Sequence, residues 1–174
     1  MFAANEPHGI DFRNNTGCED VGPAMTAESL MNDMGSGPVA VDTAIFIYYI
    51  EEHPRFLPLL EPLFRDVAAG RREIITSALT LLEVLVVPYR SGDIRLAERY
   101  EALLTFSGGV RLAEISRDHL RSAAKLRAAT GIRTPDSLQL AAALLSGCPV
   151  FLTNDRELPP IPGLRVVKLS AYSR

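Results

Sequence analysis

Four acidic residues lie in apolar surroundings where a solvated surface carboxylate is not expected. They are Asp42, Glu83, Asp136 and Asp155. The first follows the short apolar run 39–41, and the last follows the apolar run 150–152 after two polar residues. Glu83 lies inside an apolar helical segment, and Asp136 lies in the first turn of a predicted helix with an almost entirely apolar body. If the four share one site, its chemistry is that of clustered carboxylates.

Carboxylates that share a site need a counter-charge. Two like charges about 4 Å apart repel by about 1 kcal/mol in water and by about 4 kcal/mol at an effective dielectric of 20. The usual remedy is a divalent cation, and ligands that are all oxygen favour Mg²⁺ or Mn²⁺ over zinc. Such a site positions a water nucleophile and stabilises charge on a phosphodiester under in-line attack. The four acids therefore predict metal-dependent phosphodiester cleavage.

Each acid also has a purely structural interpretation. Asp42 and Asp155 suit the caps of the helices that follow them, and Asp136 complements the dipole of its own helix. Glu83 is placed to pair with an arginine such as Arg90. None of these interpretations requires the four acids to meet, so at the level of the sequence they stay open.

Small polar side chains accompany the acids and are predicted to support them. They are Thr43, Thr80, Thr134, Thr153 and Asn154. Such groups orient a carboxylate or a metal-bound water molecule. Plain helix capping is the alternative, most directly for Thr134, which precedes Asp136 as a predicted cap, and for Ser77.

The order of the predicted elements indicates how these residues are positioned. Short apolar strands are predicted at 39–41, 73–76, 110–115, 149–152 and 164–169. Helices are predicted at 44–50, 56–69, 77–87, 93–106, 116–130 and 134–147, and Pro88 is expected to end the third. Strands that are apolar throughout are typical of a parallel sheet covered by helices. We therefore expect an α/β fold in which the carboxyl ends of the strands form the ligand crevice.

Basic residues point to a polyanionic substrate. On the predicted helix 116–130, Arg117, Arg121 and Lys125 recur every four residues and form a basic stripe, and Arg133 follows the helix. Residues 37–174 carry 17 bases against 15 acids, although the whole chain has a net charge of −3. Guanidinium groups bind phosphate in a bidentate manner. We expect these four residues to bind nucleic-acid phosphates; a merely solvated helix face is the alternative.

The first 37 residues differ from the rest of the chain. Residues 1–36 contain six acids and one base, a net charge of −5, and show no apolar periodicity. Such a segment buries too little apolar surface to offset the entropy lost on ordering. We predict an acidic, disordered extension over 1–37, with a Gly-Ser-Gly hinge at 35–37, and a compact domain over 38–174 that begins at Pro38.

The composition excludes several classes of protein. The longest uninterrupted apolar run, 44–50, has seven residues, far short of the roughly 18 that span a bilayer. No basic start with a following apolar segment marks a secretory signal. The two cysteines, Cys18 and Cys148, are 130 positions apart and are expected to be free thiols. These features favour a cytoplasmic protein that does not enter a membrane.

Four segments of the sequence resemble the acidic motifs of PIN domains. They are VAVDT at 39–43, TSALTLLEV at 76–84, GIRTPDSLQLA at 131–141 and LTND at 152–155. The resemblance covers about residues 38–170 and is greatest with VapC-type toxins of toxin–antitoxin pairs. The last two motifs, in this order, are the most specific part of it.

The resemblance implies a three-layer α/β/α sandwich with a mostly parallel central sheet and an endoribonuclease that depends on Mg²⁺ or Mn²⁺. It assigns metal binding and catalysis to Asp42, Glu83, Asp136 and Asp155, with Thr153 or Asn154 assisting. It also implies RNA as the substrate, an antitoxin protein that blocks the site, and a homodimer. The alternative is a non-catalytic RNA- or protein-binding PIN module whose acids hold a structural ion.

Two other enzyme classes that use α/β folds lack their defining residues here. A phosphatase of the haloacid-dehalogenase type needs a second aspartate two residues after the first, and position 44 is alanine. A dinucleotide-binding dehydrogenase needs G-x-G-x-x-G after a strand, and this motif does not occur.

Overall fold

A parallel sheet forms the centre of the protein. The computed structural model describes residues 26–173. Its five strands are β1 (Val39–Val41), β2 (Ile74–Ser77), β3 (Val110–Ala113), β4 (Val150–Thr153) and β5 (Arg165–Lys168). They are ordered β3-β2-β1-β4-β5, and every neighbouring pair is parallel. The α/β fold with a parallel sheet is confirmed.

Helices cover the sheet. They are α1 (Ala27–Met34), α2 (Thr43–Ile50), α3 (Leu57–Ala68), α4 (Leu79–Ser91), α5 (Ile94–Glu101), α6 (Arg117–Thr130) and α7 (Thr134–Leu145). A π-helical turn, Ala102–Phe106, extends α5, and a 3₁₀ turn, Leu169–Ala171, follows β5. In the part of the chain from 26 to 173, no helix is long and apolar enough to span a membrane.

The side chains of β1 show why the sheet lies between two layers. Successive side chains of a strand point to opposite faces, so Val39 and Val41 enter one apolar cluster and Ala40 enters the other. The first cluster also contains Leu60 of α3, and the second contains Leu140 of α7. Because both faces are buried, the strand is apolar at every position, and the predicted three-layer sandwich is confirmed.

The predicted end of the third helix is wrong. Pro88 was expected to end this helix, but α4 continues past it to Ser91. A proline inside a helix removes one backbone hydrogen bond. Here the ring of Pro88 is buried, and Gly92 ends the helix instead, with a left-handed φ of 74° that glycine adopts without steric cost.

The predicted start of the domain also needs correction. Pro38 was expected to begin the folded part, but residues 27–34 form α1, which packs on α3. The side chains of Leu30 and Met34, one helical turn apart, are fully buried, and the Tyr172 hydroxyl donates a hydrogen bond to Asp33. The Leu30–Met34 spacing is the signal of an amphipathic helix. The rest of the predicted extension, residues 1–25, lies outside the described residues.

Truncation of Leu30 tests whether α1 belongs to the folding unit. We expect Leu30→Ala to lower the free energy of unfolding by about 2–5 kcal/mol, because it opens a cavity in the core. Leu145→Ala is the matched control; its side chain is half exposed, and it should change stability by less than about 0.5 kcal/mol. Urea unfolding measures both, and equal stability of the two variants would contradict the packing of α1.

Candidate active site

The predicted crevice lies where the chain changes direction across the sheet. From β1 the sheet extends through β2 to β3 on one side, and the chain then returns to add β4 and β5 on the other. Ligands bind outside the carboxyl ends of strands at such a switch point. Asp42 directly follows β1, and Thr153 ends β4, the neighbouring strand.

Asp42 is half-buried and held by two donors. Its Oδ1 accepts a hydrogen bond from the Thr43 backbone N–H at 2.7 Å, and its Oδ2 accepts one from Thr153 Oγ1 at 2.7 Å. Asp42 therefore caps α2, as the structural interpretation expected. Burial raises the pKa of Asp42, the two hydrogen bonds oppose the rise, and the charges of Glu83 and Asp136 add to it. The carboxylate thus lies in the field of other acids.

Asp136 and Asp155 lie beside the same cavity as Asp42. The three side chains line one small cavity together with Thr153. Asp136 and Asp155 also line a wider, open cleft of about 310 Å³ that begins at Thr130, the last residue of α6. The structure therefore brings the first, third and fourth predicted acids together at the carboxyl end of the sheet.

Glu83 reaches the site from α4. Its carboxylate Oε2 accepts a hydrogen bond from the hydroxyl of Thr43, the residue after Asp42. Its negative charge contributes to the raised pKa of Asp42. The suggested pairing with Arg90 is not the contact found, because the carboxylate is bound by the threonine hydroxyl of α2. Three of the predicted acids thus share one cavity, and the fourth, Glu83, is bound to the residue after Asp42 and repels its charge.

A buried polar network lies beneath Glu83, and sequence reasoning missed its central residue. Gln139 of α7 donates from Nε2 to Thr43 Oγ1 at 3.0 Å and to Thr80 Oγ1 at 2.8 Å. Thr80 Oγ1 also lies 2.7 Å from Thr76 Oγ1. The available signal was a lone amide inside the apolar body of α7, the same signal that singled out Glu83 in α4.

Arg133 neutralises part of the acidic site. Its Nε donates to Asp136 Oδ2 at 2.9 Å, while 79% of its side chain stays exposed. The hydrogen bond and charge of Asp136 raise the pKa of Arg133, and the charges of Asp155 and Glu157 add to this. An exposed guanidinium at the edge of an acidic cleft is free to exchange a carboxylate partner for another anion.

The other basic residues predicted to bind phosphate lie on the surface of α6. Arg117, Arg121 and Lys125 are all exposed. Arg121 forms an ion pair with Asp118 at 2.9 Å, and both side chains are largely solvated. The stripe thus leads along α6 toward Thr130, where the cleft begins.

The predicted supporting residues divide into two groups. Thr43, Thr80 and Thr153 belong to the hydrogen-bond network of the acids. Thr134 does not cap α7 as predicted: it is the first residue of the helix, it is exposed, and Arg133 holds the cap position without a side-chain hydrogen bond. A cap residue lies just outside the helix and has non-helical backbone angles, so Thr134, which lies within α7, is not the cap.

Asn154 uses both ends of its amide to join other segments. Its Nδ2 donates to the Tyr48 hydroxyl at 3.1 Å, and its Oδ1 accepts from the Ser170 backbone N–H at 3.0 Å. These contacts connect α2 to the turn after β5 rather than reaching the acids. Asn154 therefore shapes the loop that carries Asp155.

The donor set suits a hard divalent cation. The site offers carboxylate and hydroxyl oxygens, the ligand type that Mg²⁺ and Mn²⁺ prefer, and Mg²⁺ keeps several waters of its own. Within residues 26–173, no three His, Cys, Asp or Glu side chains are already gathered as a metal-holding group. Arg133 holds Asp136, and Thr43 holds Glu83. Two features of the site suit a divalent cation: its donors are oxygen atoms, and the pKa of Asp42 is raised. A bound cation would favour the charged carboxylate and so lower this pKa.

The sequence profile of the PIN domain matches residues 39–164. No curated protein matches the chain in sequence.

The fold is shared with solved structures, including the following three. The first is a toxin–antitoxin complex from Klebsiella pneumoniae, with 21% identity and a TM-score of 0.56 over 75% of this chain and 97% of the other. The second is VapBC2 from Rickettsia felis bound to a DNA fragment from its promoter, with 20% identity and a TM-score of 0.55 over 75% and 98%. The third is DNA-bound VapBC from Salmonella typhimurium, with 20% identity and a TM-score of 0.53 over 76% and 98%.

Proposed function

This chain belongs to the PIN domain family, and we propose that it is an endoribonuclease that depends on Mg²⁺ or Mn²⁺ and acts as the toxin of a toxin–antitoxin pair. One observation carries the catalytic part of the proposal. Four acids that are separated by up to 113 positions lie at one end of the sheet, where three line a common cavity and the fourth is bound beside Asp42. A stability role alone does not explain this gathering, because like charges repel.

The chain's own residues have distinct roles in this proposal. Asp42, Glu83, Asp136 and Asp155 hold the cation, which would supply charge neutralisation at the phosphodiester and activation of a water molecule. Thr153 orients Asp42 through its hydroxyl, and its Oγ1 accepts from the Asp155 backbone N–H at 3.0 Å. One threonine thus fixes the relative positions of two acids, as groups that hydrogen-bond to metal ligands do.

Chelation tests the catalytic proposal. We expect the full chain to cleave RNA in Mg²⁺ or Mn²⁺, to lose cleavage in excess EDTA, and to regain it when Mn²⁺ is restored. Gel analysis of a labelled RNA measures all three. Cleavage that persists in EDTA would contradict the metal-dependent mechanism, and RNA binding without cleavage in any divalent metal would favour the non-catalytic module.

RNA binding is proposed to use the basic stripe on α6 and Arg133. We expect the double variant Arg117→Ala/Lys125→Ala to bind RNA more weakly and to lower the slope of log affinity against log salt by about 1.4, since each lost contact to a single strand removes about 0.7. Fluorescence anisotropy in EDTA measures binding without turnover. Arg65→Ala/Arg95→Ala removes the same charge from exposed positions on α3 and α5; an equal loss in this control would contradict the stripe as the binding surface.

The toxin proposal also includes an antitoxin protein and a homodimer. It is supported by the likeness in fold to structures of toxin–antitoxin complexes and by exposed apolar side chains on α4, the helix that carries Glu83. Leu82 is 62% exposed and Val87 is 63% exposed, and such surface residues are typical of protein contacts when they cluster.

Growth of a bacterial host tests toxicity, and light scattering tests the dimer. Expression of the wild-type chain is expected to arrest growth, whereas Asp136→Ala is expected to allow it. The protein encoded beside this gene should restore growth when it is co-expressed. Equal growth of the wild type and Asp136→Ala at equal expression would contradict the toxin role while leaving RNA cleavage to be judged by the chelation test.

A further inference from the structure

Gln139 is the only glutamine in the sequence, and it lies at the centre of the network beneath the acids. Its side chain is 3% exposed. Besides its two bonds to Thr43 and Thr80, its Oε1 accepts from Thr76 Oγ1 at 3.2 Å and from the Ser77 backbone N–H at 3.2 Å. One amide thus links α7 to β2, α2 and α4. Its Nε2 group donates two hydrogen bonds and its Oε1 accepts two, all with protein groups.

The backbone decides which way this amide faces. A backbone N–H can only donate, so the atom that faces Ser77 must be the carbonyl Oε1. The Nε2 group then faces Thr43 and Thr80 and can only donate to them. The orientation of Gln139 therefore follows from β2 itself.

The direction of every hydroxyl in the network follows from this orientation. Thr76 donates to Gln139 Oε1, and Thr80 donates to Thr76, since each hydroxyl carries one hydrogen. Thr43 accepts from Gln139. The one hydrogen of the Thr43 hydroxyl is then left for the Glu83 carboxylate, which can only accept while it is ionised.

We propose that Gln139 is a positioning residue for Glu83: it fixes Thr43 as a donor and so holds the Glu83 carboxylate beside Asp42. This inference rests on the proposed function, in which Glu83 helps to hold the cation. An apolar side chain of similar size at 139 fills the same space but no longer donates to Thr80 Oγ1, so the Thr43 hydroxyl can donate to Thr80, 3.2 Å away, instead of to Glu83. Glu83 then loses its fixed donor.

Mn²⁺ affinity of the full chain, measured by titration calorimetry, tests the inference. We expect Gln139→Met and Thr43→Val each to weaken Mn²⁺ binding about 10- to 100-fold, the range found for supporting groups at metal sites. Thr43→Ser keeps the hydroxyl and should bind Mn²⁺ as the wild type does. Because both residues act through one hydrogen bond, the double variant should bind no more weakly than the weaker single variant.

The controls separate positioning from folding. Ser107→Ala removes a half-buried hydroxyl that donates to the Leu103 carbonyl at 2.5 Å and should leave Mn²⁺ affinity unchanged. Two results would overturn the role of Gln139. One is wild-type Mn²⁺ affinity in a folded Gln139→Met variant. The other is a double variant whose loss of Mn²⁺ affinity equals the product of the two single losses. If Gln139→Met does not fold, equal affinities of Thr43→Ser and Thr43→Val would overturn it. Failure of the wild-type chain to bind Mn²⁺ would instead overturn the proposed function, and this inference with it.

Discussion

Asp42→Asn is expected to lower the rate of RNA cleavage about a thousandfold in a protein that still folds. Asp42 is bound by Thr43 and Thr153 and lies in the field of Glu83 and Asp136. Loss of one anionic ligand is expected to remove about 4 kcal/mol of charge stabilisation in the transition state, and each 1.36 kcal/mol is a factor of ten in rate. Single-turnover cleavage in Mg²⁺ measures the effect.

Asp93→Asn is the matched control for this variant. Asp93 also caps a helix, α5, where its Oδ1 accepts from the Leu96 backbone N–H at 3.0 Å. Asparagine and aspartate are about equally good caps, so neither substitution should unfold its helix. Equal cleavage by Asp42→Asn and Asp93→Asn would show that Asp42 only caps α2.

Although Asp42→Asn should impair cleavage, it should not lower the stability of the folded protein when no metal is present. The pKa of Asp42 is raised in the folded protein above its ordinary value of 3.8, so the folded state binds the proton more tightly than the unfolded state. The resulting stabilisation is complete below the unfolded pKa and is lost as the pH rises through the folded pKa. At neutral pH in EDTA, Asp42→Asn should therefore melt at or above the wild-type Tm.

Metal should reverse this order. Mn²⁺ that binds only the folded wild type raises its Tm as the concentration exceeds the Kd, whereas the Tm of Asp42→Asn should hardly move. Thermal unfolding in EDTA and in Mn²⁺ measures both effects. A variant that is less stable than the wild type in EDTA would show that the negative charge of Asp42 is already stabilised by the protein alone.

Glu83→Gln is expected to lower cleavage about a hundredfold, a loss of about 2.7 kcal/mol of transition-state stabilisation. Glutamine keeps an oxygen that can accept from Thr43, so α4 should stay in place, but the negative charge beside Asp42 is removed. Glu101→Gln is the matched control, because Glu101 likewise accepts from a hydroxyl, that of Tyr89 at 3.1 Å. A similar rate for both variants would exclude Glu83 from the cation site.

The acids could be predicted because each breaks a strong local pattern. Asp42 directly follows an apolar run, and Asp155 follows another after two polar residues; such runs occur where a strand is buried on both faces. Parallel strands place their carboxyl ends at one edge, so topology alone suggested that the two would meet there. The α/β fold could be predicted as well, because apolar strands alternate with helices along the chain.

Other features depend on tertiary contacts as well as on the local pattern. Pro88 continues α4 because its ring is buried, and α1 is stable because Leu30 and Met34 reach the core, although the acidic residues around them suggested a solvated segment. The lone amide of Gln139 breaks the apolar pattern of α7, but its role depends on its partners on β2, α2 and α4, which the sequence does not identify. Thr134 looked like a cap because the first residue of a helix cannot be fixed from its sequence to within one position.

The central claim is that the four acids share a divalent cation, and Mn²⁺ titration followed by electron paramagnetic resonance tests it most directly, since free Mn²⁺ gives a signal that falls on binding. The wild-type chain should remove Mn²⁺ saturably, and Asp42→Asn, Asp136→Asn and Asp155→Asn should each weaken that binding, while Asp93→Asn should not. Saturable binding that is unchanged in all three site variants, or no binding by the wild type, would contradict the claim.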